Sequence, residues 1–175
     1  IPESKIKILD LALMSYGHSI DITPLHAISA LAATINGGEF IEPMVVQDNE
    51  YSNRVRTKIF SKKVTNIMKD FYRNVVEEGT ASKIKMDEYK IGGKTGTSNK
   101  FINGKQSQKK VISSFISFFP IDKPKYAVFI LLDEPKSGGK ILGRTAGFNA
   151  VPLSKEIIMQ IAPILGVKRI NKIEL

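Results

Sequence analysis

The sequence predicts an α+β domain, an antiparallel sheet with packed helices, one of which follows the sheet. Three observations carry that prediction. Apolar residues recur at helical spacing in the first half of the chain and again near its end. From Tyr89 onward the period changes to that of strands. The connection between the last two strands is too short for a crossover helix, which leaves antiparallel pairing.

The first helix is signed at both ends. Thr23 is placed to cap it by accepting from a free backbone N–H, and Pro24 at the first helical position gives up a donor that has no partner there. Leu25, Ile28, Leu31, Ala32 and Ile35 form its stripe, and Asn36-Gly37-Gly38 stops it. Residues 41 to 58 read as extended and turn-like, with a short strand at Val45-Val46 before Gln47-Asp48-Asn49. A second helix is expected from Ser61 to about Glu78, with Val64, Ile67, Met68, Phe71 and Val75 as its apolar stripe and Gly79 as its end.

Three strands follow, at Tyr89 to Ser98, Val111 to Phe119 and Tyr126 to Leu132. The third is apolar throughout, as in a strand covered on both faces, so it is placed centrally or under cover. The lysine-rich stretch Lys100 to Lys110 reads as a polar loop, and Pro120 with Lys123-Pro124 punctuates the link between the last two strands. After a glycine-rich loop from Ser137 to Gly147, a last helix runs from Val151 or Pro152 to Leu165, burying Leu153, Ile157, Ile158, Ile161, Ile164 and Leu165. Pro163 falls in its terminal turn, where few hydrogen bonds remain to be lost.

A chain of 175 residues with 42% apolar content has the size and core of one ordinary domain. No uninterrupted apolar stretch reaches the roughly 20 residues needed to span a bilayer. The start, Ile1-Pro2-Glu3-Ser4-Lys5, reads as mid-protein or processed. Cysteine is absent, which removes thiol nucleophiles and thiolate zinc sites, and His18 and His26 lack a local carboxylate cluster, so a bound metal is not expected. The formal charge of +9 is spread along the chain without interleaved aromatics, which argues against a nucleic-acid partner.

The most informative stretch is Ile91-Gly92-Gly93-Lys94-Thr95-Gly96-Thr97-Ser98. Its Gly-Lys-Thr ending suggests a phosphate loop, but Glu88 occupies the position where that loop needs its first glycine, and a carboxylate there repels phosphate. A glycine-rich strand is the second reading. Glycines inside a strand often mark the close approach of another backbone or a ligand. A strand edge carrying a cation at Lys94, hydroxyls at Thr95 and Thr97 and a bare Gly96 can dock an extended peptide through its main chain while binding its carboxylate.

With its context, this stretch resembles the penicillin-binding transpeptidases, whose motifs are Ser-x-x-Lys, Ser-x-Asn and Lys-Thr-Gly. Four blocks carry the resemblance in order, and together they span nearly the whole chain. They are Ser15-Tyr16-Gly17-His18 with Thr23-Pro24-Leu25; Val75-Val76-Glu77-Glu78-Gly79-Thr80 ahead of Tyr89 to Thr97; Ser113-Ser114-Phe115-Ile116-Ser117-Phe118-Phe119-Pro120; and Tyr126 to Leu132 with Asp133-Glu134-Pro135. The chain looks most like class B proteins of the cell-division type. Ser19 and Gly143-Arg144-Thr145-Ala146-Gly147 depart from the usual pattern.

The resemblance implies a partial penicillin-binding transpeptidase or serine β-lactamase-like fold, with residues 1–175 as a C-terminal subdomain. It implies a parent enzyme that cross-links stem peptides through a serine acyl-enzyme and binds β-lactams, anchored in the bacterial inner membrane and facing the periplasm. Lys94 and Thr95 would orient the substrate carboxylate, Gly96 would leave room for the peptide, and the Thr97 N–H would be one oxyanion donor. The implied partners are the D-Ala-D-Ala stem peptide, β-lactams, the upstream half of the domain and division-machinery proteins. A sheet lacking that half also invites a homodimer or domain swap. A β-lactamase or D,D-carboxypeptidase relative, and a non-catalytic sensing or interaction domain, are the alternatives.

The nucleophile is not expected in this chain. Ser-x-x-Lys occurs at Ser4, Ser82 and Ser137, but in the family the nucleophile lies far upstream of Lys-Thr-Gly at the start of a buried helix, and no Ser-x-Asn stands between Ser4 and Lys94.

Overall fold

The structure, a computed structural model, describes residues 5–15, 17, 20–45, 55–103, 105–136 and 142–170. A short helix that the sequence reading missed, α1 (Ile8–Met14), buries none of its residues. The next helix, α2 (Pro24–Ala33), starts as expected, with Thr23 accepting from the His26 N–H at 3.2 Å. Its last turn runs into Gly37 and Gly38, both in the left-handed region with φ of +98° and +93°. At Gly38 a Cβ would lie 1.9 Å from the Phe60 carbonyl oxygen, so only glycine fits.

The segment read as extended holds a two-stranded antiparallel sheet, β1 (Glu39–Ile41) with β2 (Arg56–Lys58), in the register Glu39↔Lys58. Of the expected Val45-Val46 strand, Val45 is a bend and Val46 lies outside the described residues, as does Gln47-Asp48-Asn49.

The second expected helix is α3 (Lys62–Glu77), capped by the Ser61 hydroxyl, which accepts from the Val64 N–H. Its buried face differs from the expected stripe. Thr65, Tyr72 and Val76 are buried and Met68 and Val75 half-buried, whereas Val64, Ile67 and Phe71 are exposed. The face is turned by about one residue, roughly 100° around the helix. Polar residues go inward because they have partners there: Thr65 donates to the Lys62 carbonyl, and the Tyr72 and Thr34 hydroxyls share a 3.0 Å hydrogen bond. Burial pushes the Tyr72 phenol up, and the bond to Thr34 opposes that.

The main sheet has three antiparallel strands in the order β3 (Gly92–Ile102), β4 (Lys105–Phe119) and β5 (Tyr126–Asp133). Successive residues of β4 feed opposite cores. Phe115 and Phe119 point to a cluster with Val76, Ile91, Val151 and Ile158, while Ile116 and Phe118 point to one with Ile35, Tyr72 and Ile121. The sheet is therefore the middle of three layers. Helix α2 and the middle of α3 cover one face, and α4 (Ala150–Ile164), joined by Val75 and Val76 from the end of α3, covers the other.

Three expectations are corrected here. Lys100 to Lys110 is not a loop: β3 and β4 continue through it as a hairpin closed by Ile102↔Lys105, with Asn103 at a φ of +52°. The Asn103-Gly104 pair is a hairpin signal that the lysines obscured. The apolar strand β5 is covered on both faces, as one of the two expected placements has it, but it is not central: it flanks β4, and among the described residues its other edge is unpaired. It is apolar throughout because its residues alternate between the two cores, Val128 and Ile130 to one and Ala127 and Phe129 to the other. On α4 the buried residues are Ala150, Val151, Ser154, Ile158 and Ala162; of the expected stripe only Ile158 is fully buried, and Ile164 and Leu165 are exposed. Small residues face the sheet because a helix lying close over it has no room for leucine at the centre of contact.

An ionic tie joins α3 to the start of β3. Arg73 donates to the Ile91 carbonyl at 2.8 Å, and the Glu77 carboxylate pairs with both Arg73 and Lys85. The hydrogen bond from Lys85, with the nearby Arg73 charge, holds the Glu77 carboxyl below the ordinary glutamate value. A carboxyl depressed in the folded state contributes stability above its unfolded pKa and loses it as the pH falls through the folded one. The melting temperature should therefore fall further between about pH 6 and pH 3 in the wild type than in Glu77→Gln. Equal losses would remove Glu77 from the acid response.

Candidate active-site strand

Lys94, Thr95, Gly96 and Thr97 lie consecutively on β3, opposite Ile116, Phe115, Ser114 and Ser113 of β4. Strand alternation divides them. Lys94 and Gly96 share the α2–α3 face of the sheet with Ile116, and Thr95 and Thr97 share the α4 face with Phe115. Lys94 is exposed, its Nζ donates to the Thr95 carbonyl at 2.7 Å, and it has no carboxylate partner among the described residues. Among those residues β3 pairs only with β4, so every second backbone N–H and C=O along its outer side is open to a docking chain.

The glycines separate into two kinds. A Cβ on Gly93 would lie 2.4 Å from the Ile116 carbonyl oxygen and 2.6 Å from the Phe115 ring, and one on Gly92 would meet the Ile121 side chain at 2.7 Å. These two make room for the protein's own core, not for a ligand. A Cβ on Gly96 meets only Ser114, with the hydroxyl at 2.6 Å and nothing else nearer than 4.0 Å. Gly96 alone fits the expected role of keeping the strand bare.

The two threonine hydroxyls are braced from outside the strand. Thr95 Oγ1 lies 2.7 Å from Thr80 Oγ1, and Thr97 Oγ1 accepts from the Ala146 N–H at 3.1 Å. The two braces touch, because a Cβ on Gly147 would stand 2.7 Å from the Thr80 carbonyl oxygen. A hydroxyl that accepts from an N–H keeps its own proton to donate, so Thr97 can still offer a hydrogen bond to an anion. The sequence reading quoted Thr80, Ser113 and Ala146 without a role and missed Asn149. Of these, only Asn149 carried a legible signal, as an asparagine at the N-cap position ahead of an apolar helix.

Of the Ser-x-x-Lys matches, Ser4 and Ser137 lie outside the described residues. Ser82 is exposed and opens a 3-10 turn (Ser82–Ile84), and the lysine of its match, Lys85, is bound by Glu77. Among the described residues no group of three or more His, Asp or Glu could hold a metal ion, and no helix is long and apolar enough to cross a membrane.

The fold is a three-layer α+β domain whose outer strand β3 carries Lys-Thr-Gly-Thr. The chain belongs to the penicillin-binding protein transpeptidase family: the family model described as the penicillin binding protein transpeptidase domain matches residues 2–158. It is 36% identical over 173 residues to the probable peptidoglycan D,D-transpeptidase FtsI of Caulobacter vibrioides, covering 91% of this chain and 29% of that protein. It is 30% identical over 184 residues to the stage V sporulation protein D of Bacillus subtilis, covering 99% of this chain and 28% of that one. The fold matches the transpeptidase domain of Burkholderia pseudomallei penicillin-binding protein 3 with a TM-score of 0.81 at 24% identity, over 94% of this chain and 49% of that one. The chain thus spans less than a third of the length of these two relatives and about half of that solved domain.

Proposed function

We propose that this chain is the C-terminal, substrate-strand part of a cell-division-type peptidoglycan D,D-transpeptidase. One observation carries the reading. On a strand whose outer edge is open among the described residues, an exposed lysine with no carboxylate partner among them stands beside two braced hydroxyls and a bare glycine, Lys94 to Thr97. A stem peptide ending in D-Ala-D-Ala docks along β3 by main-chain hydrogen bonds, and its carboxylate meets Lys94 and Thr95. The Thr97 N–H supplies one oxyanion donor, and Gly96 admits the peptide beside the strand. β-Lactams enter by the same route.

The serine nucleophile and its base come from the upstream half of the domain, which this chain does not supply. The open edge of β5 and the exposed Val64, Ile67 and Phe71 of α3 are where that half covers the present one. Left alone, the same surfaces favour a homodimer or domain swap. The whole protein works at the periplasmic side of the inner membrane with division-machinery partners, and its chemistry needs neither metal nor organic cofactor.

Intact mass after exposure to excess penicillin tests this. The isolated chain is expected to gain no adduct, and the longer protein that contains it one adduct per molecule, on a serine outside this chain. An adduct on Ser4, Ser82 or Ser137 overturns the assignment of the nucleophile. An unreactive longer protein favours the non-catalytic alternative, and rapid turnover of the adduct favours the β-lactamase one.

A further inference from the structure

Thr97 and Ser113 face each other across β3 and β4, and one loop holds both hydroxyls. The Ala146 N–H reaches Thr97 Oγ1 at 3.1 Å, and the fully buried Ser113 hydroxyl donates to Asn149 Oδ1. Asn149 then spends the rest of its amide on the same region. Its Oδ1 also accepts from the Ala150 N–H at 2.6 Å, capping α4, and its Nδ2 donates to the Gly143 carbonyl at 3.0 Å. One side chain therefore ties the centre of the sheet, the start of α4 and the turn whose Ala146 grips Thr97.

We infer that Asn149 is a positioning residue for acyl transfer, setting where Thr97 presents its N–H and hydroxyl to the substrate. The inference rests on the role proposed above for Thr97. The need for such a brace is local. The β3–β4 register shifts between Asn99 and Phe101, so Thr97 stands two residues from the end of the regular ladder, and among the described residues no strand supports its other side. Oxyanion donors must be held to within about half an ångström to work, and beside this register shift β4 is the one strand that holds Thr97 among the described residues. Through the Ser113 hydroxyl and the loop it caps, Asn149 secures the α4 face of the Thr97–Ser113 pair.

The test is the acylation of the longer protein by a fluorescent penicillin, with the reversible binding constant separated from the acylation rate constant. Melting curves confirm that each variant is folded. Asn149→Ala should lower the acylation rate constant about tenfold or more, with the binding constant within about threefold. Ser113→Ala should do the same, and the double variant should be no slower than the slower single one, because both remove one hydrogen bond. Asn149→Asp keeps the oxygen that serves Ser113 and the α4 cap but loses the Nδ2 donor to the Gly143 carbonyl, and should acylate at a rate between those of the wild type and Asn149→Ala. Folded Ser113→Ala and Asn149→Asp that both acylate at the wild-type rate, with Asn149→Ala also unchanged or unfolded, would overturn the inference. So would an equal loss in Asn149→Asp and Asn149→Ala, since the oxygen would then not matter. A wild-type protein that forms no adduct instead removes the functional reading, and the inference falls with it.

Discussion

Lys94→Ala in the longer protein is expected to slow acylation by penicillin about a hundredfold while leaving the melting temperature nearly unchanged. A charge-assisted contact to a carboxylate is worth roughly 2–3 kcal/mol where water is excluded, and each 1.4 kcal/mol is about a factor of ten. The folded state asks little of this side chain. Lys94 is exposed, and it donates to the carbonyl of the next residue, which water can satisfy. Lys94→Arg should recover only part of the rate, because a planar guanidinium does not place its charge where a compact ammonium does. Kinetics of adduct formation measure the effect, and a loss smaller than about threefold would show that the substrate carboxylate is met elsewhere.

The second large effect is on folding and separates two glycines three residues apart. Gly93→Ala drives a methyl into the Ile116 carbonyl oxygen at 2.4 Å and the Phe115 ring at 2.6 Å. Both belong to the fully buried centre of β4 and neither can turn aside. Overpacking of this kind costs about 3 kcal/mol or more, a large share of the roughly 5–15 kcal/mol that holds a domain together. Gly96→Ala meets a single serine hydroxyl that can rotate away, so it should melt within a few degrees of the wild type and yet lose acylation. Thermal unfolding of the two variants, with the acylation rate of the one that folds, tests the division. Equal melting temperatures would mean that the strand yields at Gly93 and that its tight packing is not decisive.

The candidate strand was legible because its chemistry is local. A cation, two hydroxyls and a bare glycine within four positions of one strand need no knowledge of the rest of the chain, and neighbouring blocks gave the family. The capped starts of α2 and α3 were legible for the same reason, since Thr23 and Ser61 satisfy backbone donors two or three residues away. The hairpin at Asn103 was also written locally, but charge density was read ahead of turn chemistry. The faces of α3 and α4 were misread for another cause. Periodicity places residues on a helix face, but it does not reveal that Tyr72 finds Thr34 across 38 residues of chain, or that α4 lies close enough to want Ser154 and Ala162 inside.

The sequence by itself determined the α+β class, the capped starts of α2 and α3, the antiparallel β4–β5 hairpin and the place of Lys94 to Thr97 on a strand, because each follows from contacts between near neighbours. Only the tertiary structure decided which helix faces are buried, that Gly92 and Gly93 serve the core while Gly96 stays bare, and that Thr80, Ala146 and Asn149 brace the strand. Those choices depend on groups 15, 49 and 36 residues from their partners, and no local pattern encodes which distant partner a folded chain will bring to hand.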